Sequence, residues 1–128
     1  MKKVIAFVMY TGVIGQGFYR EFQSSPEFDP VLINDYQNAE LYLGDRTPCI
    51  LVIEVPDHSS YPLSYCLEIC NRFKRAFPLC KCMLFLSYTY MDNILSEVVA
   101  ARRNGQIDDF ATAHTRVEEI SAAIQALA

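Results

Sequence analysis

Along the chain, short and almost wholly apolar runs alternate with longer segments in which apolar residues recur every three to four positions. The runs read as strands buried on both faces, and the periodic segments as amphipathic helices laid over them. "KKVIAFVMY" (2–10) is the first run, and Ile14, Phe18 and Phe22 then share one face of a helix predicted over 14–23. "PVLIND" (30–35) predicts a second strand, and 38–43 a brief helix that Gly44 ends. "PCILVIEVPD" (48–57) is the most informative stretch, because an apolar run passes straight into a carboxylate, Glu54, before the turn residues Pro56 and Asp57. Leu63, Leu67, Cys70, Phe73 or Lys74, and Phe77 predict a helix over 63–77 that Pro78 stops.

"KCMLFLSY" (81–88) is a fourth strand. Ile94, Leu95, Val98 and Val99 predict a helix over 91–104, closed by Asn104-Gly105, and "IDDFATA" (107–113) is a short fifth strand. Thr115 with Glu118 three residues on predicts a capping box opening the last helix, whose apolar face is Val117, Ile120, Ile124 and Leu127. Five strands alternating with five helical segments define an α/β domain over 1–128, a parallel sheet with helices on both faces. Sites in such sheets lie beyond the carboxyl ends of the strands, where the strand order reverses. Glu54 stands at such an end.

Composition narrows the function. Apolar residues make up 52% and charged ones 20%, which suits a packed globular chain. A net charge of −4 without a basic run argues against direct nucleic-acid binding, since phosphate contacts need clustered Lys and Arg. Arg72, Lys74 and Arg75 read as the solvated face of a helix. No apolar stretch approaches the roughly 20 residues that span a bilayer, and "MKKVIAFVMYTG" lacks the small-residue cleavage site of a signal peptide. Five cysteines, an odd number in a chain with ample core, are expected to be reduced and the protein cytoplasmic.

Three motifs offer chemistry and each has a plainer reading. Gly12, Gly15 and Gly17 follow the first strand as G-x-x-G-x-G, the reverse of the dinucleotide spacing and without the lysine of a phosphate loop, so a frayed first helix explains them as well as a nucleotide or flavin does. Cys66, Cys70, Cys80 and Cys82 form C-x3-C and C-x-C pairs, and the second is too close for a structural zinc site; buried thiols acting as small hydrophobes fit better. His58 and His114 are the only histidines, and no G-x-S-x-G elbow accompanies them. His114 is expected on the surface.

Together, "PCILVIEVPD", "CLEICNRFKRAF", "CMLFLSY" and "NGQIDDFATAH" resemble the receiver domain of bacterial two-component response regulators over essentially the whole chain. The resemblance implies a flavodoxin-like fold in which Glu54 takes the place of the phosphoaccepting aspartate, while Ser87 and Phe110 take those of the hydroxyl and aromatic switch residues. It also exposes departures. Met9 and Tyr10 stand where receivers carry the acidic pair that holds magnesium, Ala113 stands for the lysine, and His114 for the proline after it. Thioether and phenol groups are poor magnesium ligands, and without metal or lysine the charge on a transferring phosphoryl group is uncompensated.

The resemblance therefore implies a pseudo-receiver: a signalling module that is not an enzyme, needs no metal or cofactor, and works through a protein partner. A second copy of the chain is one such partner, meeting the face made by the helix at 91–104, the strand at 107–113 and the last helix. Arg102, Arg103, Asp108, Asp109, Arg116 and Glu119 would lie on that face. The alternatives are a phosphorylatable receiver using Glu54 atypically and a nucleotide- or flavin-binding flavodoxin-like domain. For Glu54 itself two explanations stand: its longer carboxylate copies a phosphoaspartate and draws in Ser87 and Phe110, or it is a polar strand-end residue, solvated or hydrogen-bonded to loop amides.

Overall fold

The computed structural model describes residues 2–87 and 92–128. Five parallel strands, β1 (Lys3–Val8), β2 (Phe28–Ile33), β3 (Pro48–Val55), β4 (Lys81–Leu86) and β5 (Asp109–Thr112), lie in the order β2-β1-β3-β4-β5. The helices are α1 (Gly12–Gln23), α2 (Leu63–Ala76), α3 (Asp92–Arg103) and α4 (Val117–Leu127), and the brief segment Ala39–Leu43 is a 3₁₀ helix. The sequence reading of a parallel sheet covered on both faces holds.

Strand alternation sorts the apolar residues into two cores. Ile5, Phe7, Ile50, Val52, Met83 and Phe85 point to one side, where Phe18 and Phe22 of α1 and Ile120 and Ile124 of α4 cover them. Val8, Leu51, Ile53, Leu84 and Leu86 point to the other, under α2, α3 and the 3₁₀ helix. Phe7 stacks on Phe18 at 5.6 Å between ring centres, and Phe22 meets Phe28 edge-on at 5.3 Å. Burying each such ring contributes about 2 kcal/mol. Cys66, Cys70, Cys80 and Cys82 are buried free thiols, the first pair on α2 and the second on one face of the chain entering and forming β4. Burial, and then the neighbouring Glu54 carboxylate, push the Cys66 thiol up to about 12.

Several boundaries differ from the pattern. β2 starts at Phe28, so Pro30 lies inside it; β2 is an edge strand, where a missing N–H is tolerated. α1 starts at Gly12 rather than Ile14, and Gly15 has a packing reason: a Cβ there would lie 2.9 Å from Leu32 Cδ1 and 3.1 Å from Met9 Cβ. The capping box does not form. α4 begins at Val117 after Arg116, and the Thr115 hydroxyl instead accepts the Thr112 amide at 3.4 Å. β5 is shorter than the 107–113 run, and the ends of the runs at Tyr88 and Met91 lie outside the described residues. Gly44 and Gly105 close their helices with φ of 60° and 80°.

The basic residues of α2 are not a solvated face. Arg72 forks onto Glu40 and the Gln37 carbonyl, and Lys74 donates to Asp108 at 2.9 Å, both partly buried; only the Arg75–Glu68 pair is exposed. Among the described residues no helix is long and apolar enough to cross a membrane.

Candidate functional site

β1 leads to β2 on one side of the sheet and its other neighbour is β3, so the strand order reverses between β1 and β3. Glu54, next to last in β3, sits at the carboxyl end of that gap and is 0% exposed. Its carboxylate crosses to the loop between β1 and α1. Oε1 accepts the Tyr10 amide at 2.9 Å and the Thr11 amide at 2.7 Å, while Oε2 accepts the Thr11 hydroxyl at 2.6 Å. A buried carboxylate is costly unless its lone pairs are taken up, and these three donors supply that compensation. Because Thr11 is the residue directly before α1, the charge also faces the positive end of the helix dipole. The Thr11 hydroxyl makes no cap bond to its own helix.

The main chain of Glu54 is held from the opposite side. Its carbonyl accepts the Tyr36 hydroxyl at 2.8 Å and the Cys66 thiol at 3.7 Å. Burial, and then the Glu54 charge, hold the Tyr36 phenol far above its usual range, so it stays a donor. Aromatic rings gather around this end of the sheet. Tyr36 stacks on Tyr61 at 4.4 Å, and Tyr10, His58 and Tyr61 form a triangle with ring centres 5.0, 5.4 and 5.7 Å apart. The His58 Nδ1 accepts the Ser60 amide at 3.0 Å, which fixes its ring in the turn after β3.

The residues singled out in the sequence fall as follows. Met9 is buried beneath α1, against Gly15, and Tyr10 is 47% exposed with its ring over His58. Ser87 follows β4, and its amide reaches the Val55 carbonyl at 3.5 Å, placing it beside the strand end that carries Glu54. Phe110 is half-buried on β5, packed against the α2 and α3 side, and Ala113 and His114 are exposed beyond β5. The structure thus joins Glu54 to the loop that holds Met9 and Tyr10, through backbone amides rather than through their side chains. The prospect of a solvated Glu54 is overturned by its burial, and the prospect of bonds to loop amides is met.

Gly12, Gly15 and Gly17 lie inside α1, so they do not form a loop that could cradle phosphates. Asp108 is not on a free surface: its carboxylate takes Lys74 and, at 2.8 Å, the Cys82 amide. Thr11, Tyr36 and Tyr61 are the members of the site that sequence reasoning missed. Thr11 carried a signal, a hydroxyl residue directly before a helix, obscured by the glycines after it.

The residues present do not fit the magnesium ion of receiver domains. Met9 and Tyr10 offer no hard oxygen ligand, and the Glu54 oxygens are committed to three hydrogen-bond donors. Among the described residues no group of three or more His, Cys, Asp or Glu side chains is placed to hold a metal.

No family model and no curated protein matches the chain. Solved structures do match in shape. A response regulator from Thermotoga maritima shares 11% identity at a TM-score of 0.78, covering 99% of this chain and 98% of its own. A CheY-like response regulator receiver domain protein from Methanospirillum hungatei JF-1 shares 11% at 0.76, over 98% and 93%. An adenylate cyclase from Rhodopirellula baltica shares 13% at 0.80, over 99% and 87%. At such identities the likeness concerns the fold, and the fold is that of a response-regulator receiver domain, flavodoxin-like in architecture.

Proposed function

We propose that this domain is a pseudo-receiver, a signalling module that acts by binding a protein partner and takes up no phosphoryl group. The observation that carries the reading is the closed Glu54 carboxylate: fully buried, with both oxygens bonded to Tyr10 and Thr11. An acceptor oxygen must meet phosphorus in line, and Glu54 would first have to break charge-assisted hydrogen bonds and leave the interior. Met9, Tyr10 and Ala113 then offer nothing to balance the developing charge. The direct bond from Glu54 to the β1–α1 loop takes over the bridging task that a metal has in a working receiver. A role as phosphoaspartate mimic gains no support, since the oxygens point to Thr11 and Tyr10.

The receiver fold of the response regulators it resembles supports a place in signal transduction, and a non-enzymatic one. The face made by α3, β5 and α4 is the proposed contact surface, for a protein partner that includes a second copy of this chain. It exposes Arg102, Arg103, Arg116 and Glu119, with Asp109 lying 3.9 Å from Arg102, a mixture of signs that favours register over affinity. Five free cysteines suit a reducing, cytoplasmic setting. Incubation with magnesium and acetyl phosphate, followed by intact-mass measurement, tests the reading. The expected mass is unchanged for the wild type and for Glu54→Asp; a phosphoryl adduct on residue 54 of the wild type would refute it.

A further inference from the structure

A pocket of about 300 Å³ opens between α1 and α4, with Phe18 and Phe85 among its walls. It lies apart from the Glu54 site and nothing so far uses it. Among the described residues no charged side chain lines it, and Thr115 is the one hydroxyl residue in its wall. Val13 and Val117, also in its wall, are 86% and 52% exposed, apolar surface left to water beside an apolar hollow.

Two small residues keep this space open. Gly17 sits in the interior of α1, where glycine weakens a helix, yet a Cβ there would meet nothing within 4 Å. Packing thus gives no reason for glycine at 17, in contrast to Gly15. Ala113 likewise contributes only a methyl group. The hollow is roughly twice the ~150 Å³ of an apolar cavity that accepts benzene, and ligand pockets of this kind are mostly apolar with few polar groups.

We propose that this pocket binds a small uncharged molecule, predominantly apolar and about the size of a two-ring aromatic, with a single hydroxyl or N–H directed at Thr115. Such a ligand would bridge α1 and α4 and cover Val13 and Val117. Charged metabolites are disfavoured because no described side chain in the wall would neutralise them.

Indole serves as the probe, titrated into the ¹⁵N-labelled chain while amide shifts are recorded. The expected result is saturable movement of the Gly17, Ala113, Thr115 and Val117 amides with a Kd of about 1 mM or tighter, the range open to a nine-atom ligand. Gly17→Leu and Ala113→Leu, which fill the space from different elements, are each expected to weaken binding at least tenfold. Gly17→Leu should keep or raise Tm, because it replaces a helical glycine whose added Cβ meets nothing within 4 Å, so its loss of binding is not a loss of fold. Absence of saturable shifts, or equal binding by both filled variants, would overturn the proposal. So would concentration-dependent movement of these amides without indole, which would assign the pocket to a second chain.

Discussion

Glu54 and Thr11, 43 residues apart in sequence, are bonded twice, amide to Oε1 at 2.7 Å and hydroxyl to Oε2 at 2.6 Å. This contact ties the end of β3 to the start of α1 across the point where the strand order reverses. Its loss is therefore expected to loosen the whole β1–α1 junction. Glu54→Ala leaves two amides and a hydroxyl without an acceptor and should destabilise by about 2–4 kcal/mol, whereas Glu54→Gln keeps an acceptor oxygen and should cost about 1 kcal/mol. Urea denaturation of the two variants checks the order.

Thr11→Val removes one hydroxyl at nearly constant volume. Hydrogen bonds to charged groups are worth about 1.5–3 kcal/mol, so a loss in that range is expected. A change below about 0.5 kcal/mol would mean that the hydroxyl bond is unimportant and the amides alone hold the carboxylate.

The glycines of α1 separate by cause. Gly15→Ala places a methyl 2.9 Å from Leu32 Cδ1 and 3.1 Å from Met9 Cβ and should destabilise by about 1–3 kcal/mol. Gly17→Ala meets nothing within 4 Å and should stabilise by about 0.5–1 kcal/mol. Thermal melts of the pair give opposite signs.

Asp108 sets an acid limit. Burial alone would raise its carboxyl, but the Cys82 amide and the Lys74 ammonium outweigh that and leave it below the usual carboxylate range. A group depressed in the folded state contributes stability above its unfolded value, about 3.9, and loses it as pH falls through the folded one. Stability should therefore drop below about pH 4, and less steeply in Asp108→Asn, measured by urea midpoints across pH 2–6.

Much of this was legible in the sequence. The uninterrupted run of β3 announced a strand buried on both faces, and its collision with Glu54 singled out the carboxylate that bonds to Tyr10 and Thr11. What escaped was non-local. Thr11 meets Glu54 only once the sheet order is known, and Tyr36 and Tyr61 stack although they come from separate loops. The Thr115–Glu118 spacing misled because the Thr115 hydroxyl has a nearer partner in the Thr112 amide. Pro30 looked like a strand boundary because nothing local reveals that β2 is an edge.

The measurement that bears most directly on the closed carboxylate is an amide spectrum of the domain with and without magnesium and beryllofluoride, a phosphoryl mimic. The account predicts that the Tyr10 and Thr11 amides do not move, because Glu54 keeps them. Saturable displacement of those two amides would show that residue 54 releases the loop for a phosphoryl-like ligand, and would contradict it.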